Sequence, residues 1–169
     1  MIHTARLYLR PIKPEDKQQL LNLFADAKVM QFSDEGKPQT PEWVNQWVDE
    51  AVRDYQELGY GVMIVEDRQS GDLLGYCGLF RHNDIDGRAE TELGYRLVGT
   101  SWGKGYATEA AKAVLDHAHV KSGLERVVAM VDPDNAASRR VAEKIGMEYE
   151  KDIMMDGYSH PDQLFVSHR

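Results

Sequence analysis

The stretch Trp102-Gly103-Lys104-Gly105-Tyr106-Ala107-Thr108-Glu109-Ala110 restricts the folds open to this chain more than any other. Two glycines, Gly103 and Gly105, follow a β-rich run, Thr91–Val98, and a long helical pattern starts directly after them. Glycine lets a backbone turn tightly and come close to a ligand. A helix start offers N–H groups with no intrahelical partner and the positive end of the helix dipole. The combination predicts a strand–turn–helix unit with a seat for a phosphate or pyrophosphate at the turn. The same glycines would equally serve a plain tight connection, so the surroundings decide. Two standard nucleotide signatures are excluded. No Gly-x-x-x-x-Gly-Lys-Ser/Thr string occurs, and Thr108 stands where the third glycine of Gly-x-Gly-x-x-Gly would be.

Length and composition set the outer bounds. A chain of 169 residues, 42% apolar and 28% charged, fits one globular domain over residues 1–169 with a substantial core. No apolar run reaches the length of a membrane span, and the start MIHTARLYLRP lacks a signal peptide's apolar stretch. The single cysteine, Cys77, excludes an internal disulfide and suits a reducing compartment, so the expected location is the cytoplasm. The net charge of −8 argues against nucleic acid and anionic membranes as partners, and it would attract a cationic or amine substrate. Its plainer meaning is solubility. An anionic ligand then needs a local basic patch, and Lys104, Arg139, Arg140 and Lys144 fall in or near two predicted helix starts.

Along the chain, Leu7–Arg10 reads as a short strand and Pro14-Glu15-Asp16 as a helix opening, with Leu20, Leu21, Leu23 and Phe24 as its stripe. Gln31–Thr40, with Asp34-Glu35-Gly36, reads as a loop. Thr40-Pro41-Glu42 starts a second helix, whose Val44, Trp47, Val48, Ala51, Tyr55 and Leu58 have helical spacing and which Gly59 ends. Tyr60–Glu66 and Leu73–Arg81 form an expected hairpin across Ser70-Gly71-Asp72, followed by a polar loop, His82–Arg88. After the strand Thr91–Val98 comes the helix Gly105–Ser122. Val127–Val131 has the continuous apolar character of a strand buried on both faces. Asn135 caps a helix that runs to Lys144, and Glu148–Met154 and Gln163–Ser167 are the last strands. The order β α α β β β α β α β β is that of one mixed α/β layer fold.

The glycine loop, the later segment Asp134-Asn135-Ala136-Ala137-Ser138-Arg139, the Glu92-Leu93-Gly94-Tyr95 run and the opening Arg6–Pro11 together resemble the GNAT superfamily of acyl-CoA-dependent N-acetyltransferases, with the closest look to its RimJ/RimL branch. The resemblance runs from Thr4 to Val166. It implies a mostly antiparallel central sheet with flanking helices, in which the parallel strands Thr91–Val98 and Val127–Val131 splay apart to admit an acyl thioester. It implies acetyl-CoA as cosubstrate and no metal. Coenzyme A carries a pyrophosphate, which the amides from Gly103 through Lys104, Gly105, Tyr106 and Ala107 to Thr108 would cradle. Leu97 and Val98 would offer backbone groups to the pantetheine arm, and Asn135 would add a hydrogen bond beyond its cap. Thr100 departs from the superfamily's frequent Gln or Arg at that place, which removes a side-chain contact and leaves the amide cradle.

Acylating an amine requires a proton acceptor for the ammonium and a proton donor for the departing thiolate. A carboxylate on the splayed strand suits the first task. Glu92 is the candidate and Glu90 the fallback; the plainer role for Glu92 is an exposed glutamate or one paired with Arg96. The family pattern points to Ser138 as donor, with Tyr149 the alternative. Their plainer roles are helix capping for Ser138 and core packing for Tyr149. His117 and His119, two apart on a helix, point away from each other, so no metal site is expected there. Cys77 reads as a buried small residue, and Trp43, off the main stripe, as a candidate wall of an acceptor pocket. The implied activity is direct transfer of an acetyl group to a primary amine, of a small molecule or a protein N-terminus, by an enzyme whose final strands could pair across a homodimer. Rival readings are a non-catalytic acyl-CoA-binding module and a nucleotide-binding protein using the same loop.

Overall fold

The computed structural model describes residues 1–33, 36–155 and 157–169. Within the described residues, β1 (Ile2–His3), β2 (Leu7–Pro11), β3 (Val62–Asp67), β4 (Leu73–Ile85), β5 (Arg88–Leu97), β6 (Arg126–Val131), β7 (Glu148–Ile153) and β8 (Asp162–His168) make one sheet. Their spatial order is β1-β2-β3-β4-β5-β6-β8-β7. The helices are α1 (Lys17–Ala25), α2 (Ala27–Met30), α3 (Pro41–Leu58), α4 (Tyr106–Val120) and α5 (Ala136–Lys144).

Strand alternation divides the core into two layers. On β3, Met63 and Val65 pack with α4 residues such as Ala111, Val114 and Ala118. Their neighbours Val62 and Ile64 join Leu20, Phe24, Val44 and Val48 of α1 and α3. Helices therefore cover both faces of the sheet. No described helix is long and apolar enough to cross a membrane.

The strand pairs are antiparallel except β5 and β6. β5 is registered to β4 along its length, from Ile85↔Arg88 to Gly75↔Leu97. To β6 it is registered only at Glu92↔Val128. Past that pair the two parallel strands part, as expected from the resemblance, and the gap opens toward their C-terminal ends.

Several boundaries differ from the sequence reading. His82–Arg88 is not a loop: β4 continues to Ile85 and β5 begins at Arg88. Asp86 and Gly87 take φ of 52° and 81°, the two left-handed residues a type I′ hairpin needs, and Asp-Gly is a preferred dipeptide for it. Apart from buried Ile85, most residues from Arg81 to Arg88 are exposed, so hydrophobic alternation stops short of the tip while backbone pairing carries on. β1 and the single turn α2 were not anticipated; Asp26 caps α2 by accepting from Lys28 N at 2.9 Å. Asp34 and Glu35 of the Gln31–Thr40 loop, and Asp156 between the last two strands, lie outside the described residues.

Candidate active site

β5 ends at Leu97, and one 3₁₀ turn, Gly99–Ser101, leads to the glycine loop. The Trp102 indole folds back, Nε1 donating to the Leu97 carbonyl at 2.8 Å. Gly103 and Gly105 both lie in the left-handed region, at φ of 73° and 80°, where an L side chain is strained. Gly105 then caps α4 without a side chain. The first α4 amides, Tyr106, Ala107 and Thr108, have no intrahelical acceptor and carry the dipole's positive end. Gly103, Gly105, Tyr106, Ala107 and Thr108 border a cleft of about 1180 Å³. Lys104 does not; its carbonyl accepts from Arg6 Nη1 at 2.8 Å.

That contact belongs to a brace which the sequence did not reveal. Glu109, one turn into α4, accepts from Thr4 Oγ1 (2.6 Å), Arg6 N (2.9 Å) and Arg6 Nε (2.7 Å). The Arg6 guanidinium lies over the Tyr106 ring, 4.5 Å from its centre. Tyr106 in turn donates to Asp67 at 3.2 Å. Burial pushes the Glu109 carboxyl up, but the bonds from Thr4 and Arg6 and the Arg6 charge outweigh it and hold the group below the ordinary range. Both members stood within quoted motifs, yet a contact spanning over a hundred residues leaves no local pattern.

The gap between β5 and β6 opens into the same cleft, bordered by Leu97, Asn135 and Ser138. Val98 turns away: its N–H donates to the Leu74 carbonyl at 2.8 Å and its side chain packs toward the α1–α3 layer. Asn135 Oδ1 accepts from Ser138 N at 3.0 Å, the anticipated N-cap. The Ser138 hydroxyl meets the Tyr95 hydroxyl at 3.1 Å, a partner the sequence reading missed. Burial pushes the Tyr95 phenol up to about 12, so it stays protonated well into alkaline solution. Of the four basic residues near helix starts, Arg140 and Lys144 border the cleft.

Glu92 lies on the opposite face of β5 from Tyr95, where the gap begins, and also borders the cleft. Its Oε2 is 2.8 Å from His82 Nε2 on β4; it does not pair with Arg96. Glu90 is buried, with Arg126 Nε at 3.0 Å and Arg88 Nε at 3.6 Å, and is not part of the cleft wall. Trp43, 39% exposed, forms part of the wall with Trp47 and Phe80. Tyr149 is neither core nor cleft: it is 53% exposed on the edge strand β7, and its hydroxyl donates to Asp152. The first five residues of β7 are all exposed, a lack of cover that the sequence pattern does not reveal. Cys77 is buried, and burial pushes its thiol far up.

Among the described residues, one cluster has metal-ligating residue types, Asp132, His160 and Asp162. The carboxylates approach different ring nitrogens of His160, Asp132 at 3.5 Å from Nε2 and Asp162 at 3.9 Å from Nδ1. One ligand atom from each of the three lies within 4.8 Å of the others, a spacing that could hold a metal ion.

The acetyltransferase (GNAT) domain family matches residues 6–148. The uncharacterized protein YkkB of Bacillus subtilis is 41% identical over 155 residues, 89% of this chain and 86% of that one. An acetyltransferase (GNAT family) from Bacillus anthracis superposes with a TM-score of 0.82 at 26% identity, over 99% of this chain and 97% of that one. A spermidine N-acetyltransferase from Vibrio cholerae, solved with CoA and spermine, shares the fold at a TM-score of 0.79 and 19% identity, over 98% and 96% of the two chains.

Proposed function

This chain belongs to the GNAT acetyltransferase family and is an N-acetyltransferase, and on that premise we propose that it transfers the acetyl group of acetyl-CoA to a primary amine by direct attack in a ternary complex. The acceptor is a small molecule or a protein N-terminus. The observation that carries this reading is the single cleft shared by the glycine loop, Ser138 and Glu92. Its size, above the usual range for one small ligand, leaves room for two substrates.

Acetyl-CoA supplies the activated acyl thioester. The left-handed glycines and the first α4 amides fit its pyrophosphate, because a Cβ at Gly103 would point into open space and the N–H groups there lack helical partners. Arg140 and Lys144 add positive charge at the cleft. Glu92 takes the ammonium proton, directly or through one water, and His82 orients the carboxylate. The freed amine attacks the acyl carbon. Ser138 donates a proton to the departing thiolate, with Tyr95 keeping the hydroxyl in place. Transfer is direct because the one thiol, Cys77, is buried and held protonated.

The test is Glu92→Gln. Turnover with a confirmed amine is expected to fall about 100-fold or more at neutral pH, the effect of losing a general base. Coenzyme A affinity stays unchanged, and the defect shrinks at high pH as more amine is already neutral. Near-normal turnover at neutral pH would remove Glu92 from the chemical step.

A further inference from the structure

The β5 face that carries Glu92 also carries Gly94 and Arg96, since residues two apart on a strand share a face. Opposite them on β4 stand Phe80, Gly78 and Tyr76 in register. Glu92, Gly94, Arg96, Phe80 and Tyr76 all border the cleft. A Cβ at Gly94 would stand 3.0 Å from the Phe80 ring, so glycine here lets the ring lie across the strand. The result is an apolar floor with a carboxylate at one end and a guanidinium at the other. Four strand residues set their Cα atoms about 13 Å apart.

The two charges do not neutralise each other. Glu92 is engaged by His82. Arg96 is half-buried, and its one hydrogen-bond partner among the described residues is the Met30 sulfur, at 2.7 Å. A thioether is a weak acceptor, and a guanidinium has five N–H donors. By contrast, Arg10 and Arg126 are each held by two carboxylates, Asp16 with Glu66 and Glu90 with Glu150. In a chain of net charge −8, a half-buried arginine without a carboxylate partner among the described residues is a site with unused capacity for an anion. Guanidinium geometry matches a carboxylate in particular.

We propose that Arg96 binds a carboxylate on the acceptor, so that the amine to be acetylated belongs to an amino carboxylic acid. This rests on the acetyl transfer set out above and narrows its acceptor. The ammonium end lies at Glu92, the carboxylate end at Arg96, and the carbon skeleton crosses the floor at Gly94 against Phe80 and Trp47. The overall acidity of the chain would attract a cationic or amine substrate, and an amino acid keeps that amine while its carboxylate meets the local charge at Arg96.

The probes are β-alanine, 4-aminobutyrate, 6-aminohexanoate and 8-aminooctanoate, each compared with the amine that lacks its carboxylate. Initial rates with acetyl-CoA are measured alongside calorimetric binding to the protein saturated with coenzyme A. For at least one pair, the wild type is expected to favour the amino acid by about tenfold or more in kcat/KM, the scale of a charge-assisted hydrogen bond. Arg96→Met loses that preference, mainly through KM, while the matched amine and coenzyme A affinity change little. Arg96→Lys keeps part of it. No carboxylate-dependent gain in binding or rate for any pair overturns the proposal, as does an equal loss on both members or a primary loss of coenzyme A binding. Because the wild-type comparison needs no variant, a poorly folding Arg96→Met leaves the test intact. Carboxylate-dependent binding that Arg96 controls, seen without turnover, would support the site and refute acetyl transfer. Turnover without carboxylate dependence would do the reverse.

Discussion

Removing the Glu109 carboxylate tests whether the N-terminal segment holds the glycine loop in shape. The carboxylate accepts three hydrogen bonds, from Thr4 Oγ1, Arg6 N and Arg6 Nε, and its Oε2 is also 2.6 Å from Arg6 Nη2. A hydrogen bond to a charged group is worth about 1.5–3 kcal/mol, but the Arg6 side chain is 45% exposed, so solvent screens its share heavily. The bonds together are then worth about 3 kcal/mol, and Glu109→Ala is expected to lower Tm by about 6–12 °C at this chain length. Glu109→Gln keeps an acceptor oxygen and loses the charge, for about half that effect. The variant also frees Arg6 from the Lys104 carbonyl and the Tyr106 ring, so binding must reorder the loop. Ordering one residue costs about 1–2 kcal/mol, so coenzyme A affinity is expected to fall about tenfold. The pH dependence has a fixed sign. The Glu109 carboxyl is held below the ordinary value, so its contribution is full above about 4.5 and is lost as the pH falls through the lower, folded value. Thermal melts and calorimetry of wild type and Glu109→Gln between pH 3 and pH 7, on the order of one unit per step, give the answer. An unchanged Tm and unchanged coenzyme A affinity at neutral pH would refute the brace, and a gap that does not close in acid would refute its charge.

Gly105→Val is expected to weaken coenzyme A binding severely: φ of 80° strains a β-branched residue, and its Cβ would point at Arg6, 3.4 Å from Nη2; unaltered calorimetric affinity would count against the loop as the pyrophosphate seat. Asn135→Ala removes the bond to Ser138 N and is expected to cost about 1 kcal/mol of stability and to lower coenzyme A affinity; a lower Tm with normal binding would leave Asn135 as a cap alone. Ser138→Ala is expected to lower turnover at all pH values, and Tyr95→Phe to give a smaller loss of the same shape, since each removes a hydroxyl from the thiolate side; a defect that vanishes at high pH would reassign the proton donor.

The sequence by itself determined the features that are local. Thr40-Pro41 and Gly59 marked the ends of α3, Asn135 marked the start of α5, a β-rich run before Ser70-Gly71-Asp72 marked β3, and a continuous apolar run marked β6, because caps, turn residues and short apolar runs are written within a few positions. The glycine loop was legible for the same reason: left-handed backbone before a helix needs glycine, and glycine is visible in a sequence. The Asp86-Gly87 hairpin carried a local signal too, but the polar residues around it hid the strands that it joins. Only the tertiary structure decided which carboxylate faces the cleft. Glu90 and Glu92 share a strand face, and their fates diverge because Arg126 of β6 reaches the first and His82 of β4 the second. Likewise Tyr95 meets Ser138, Glu109 grips Arg6, and Arg96 lacks a carboxylate partner among the described residues, through neighbours set by the order of strands in the sheet. Burial, ion pairing and proton affinity depend on what stands within a few ångströms in space, and sequence distance does not encode that.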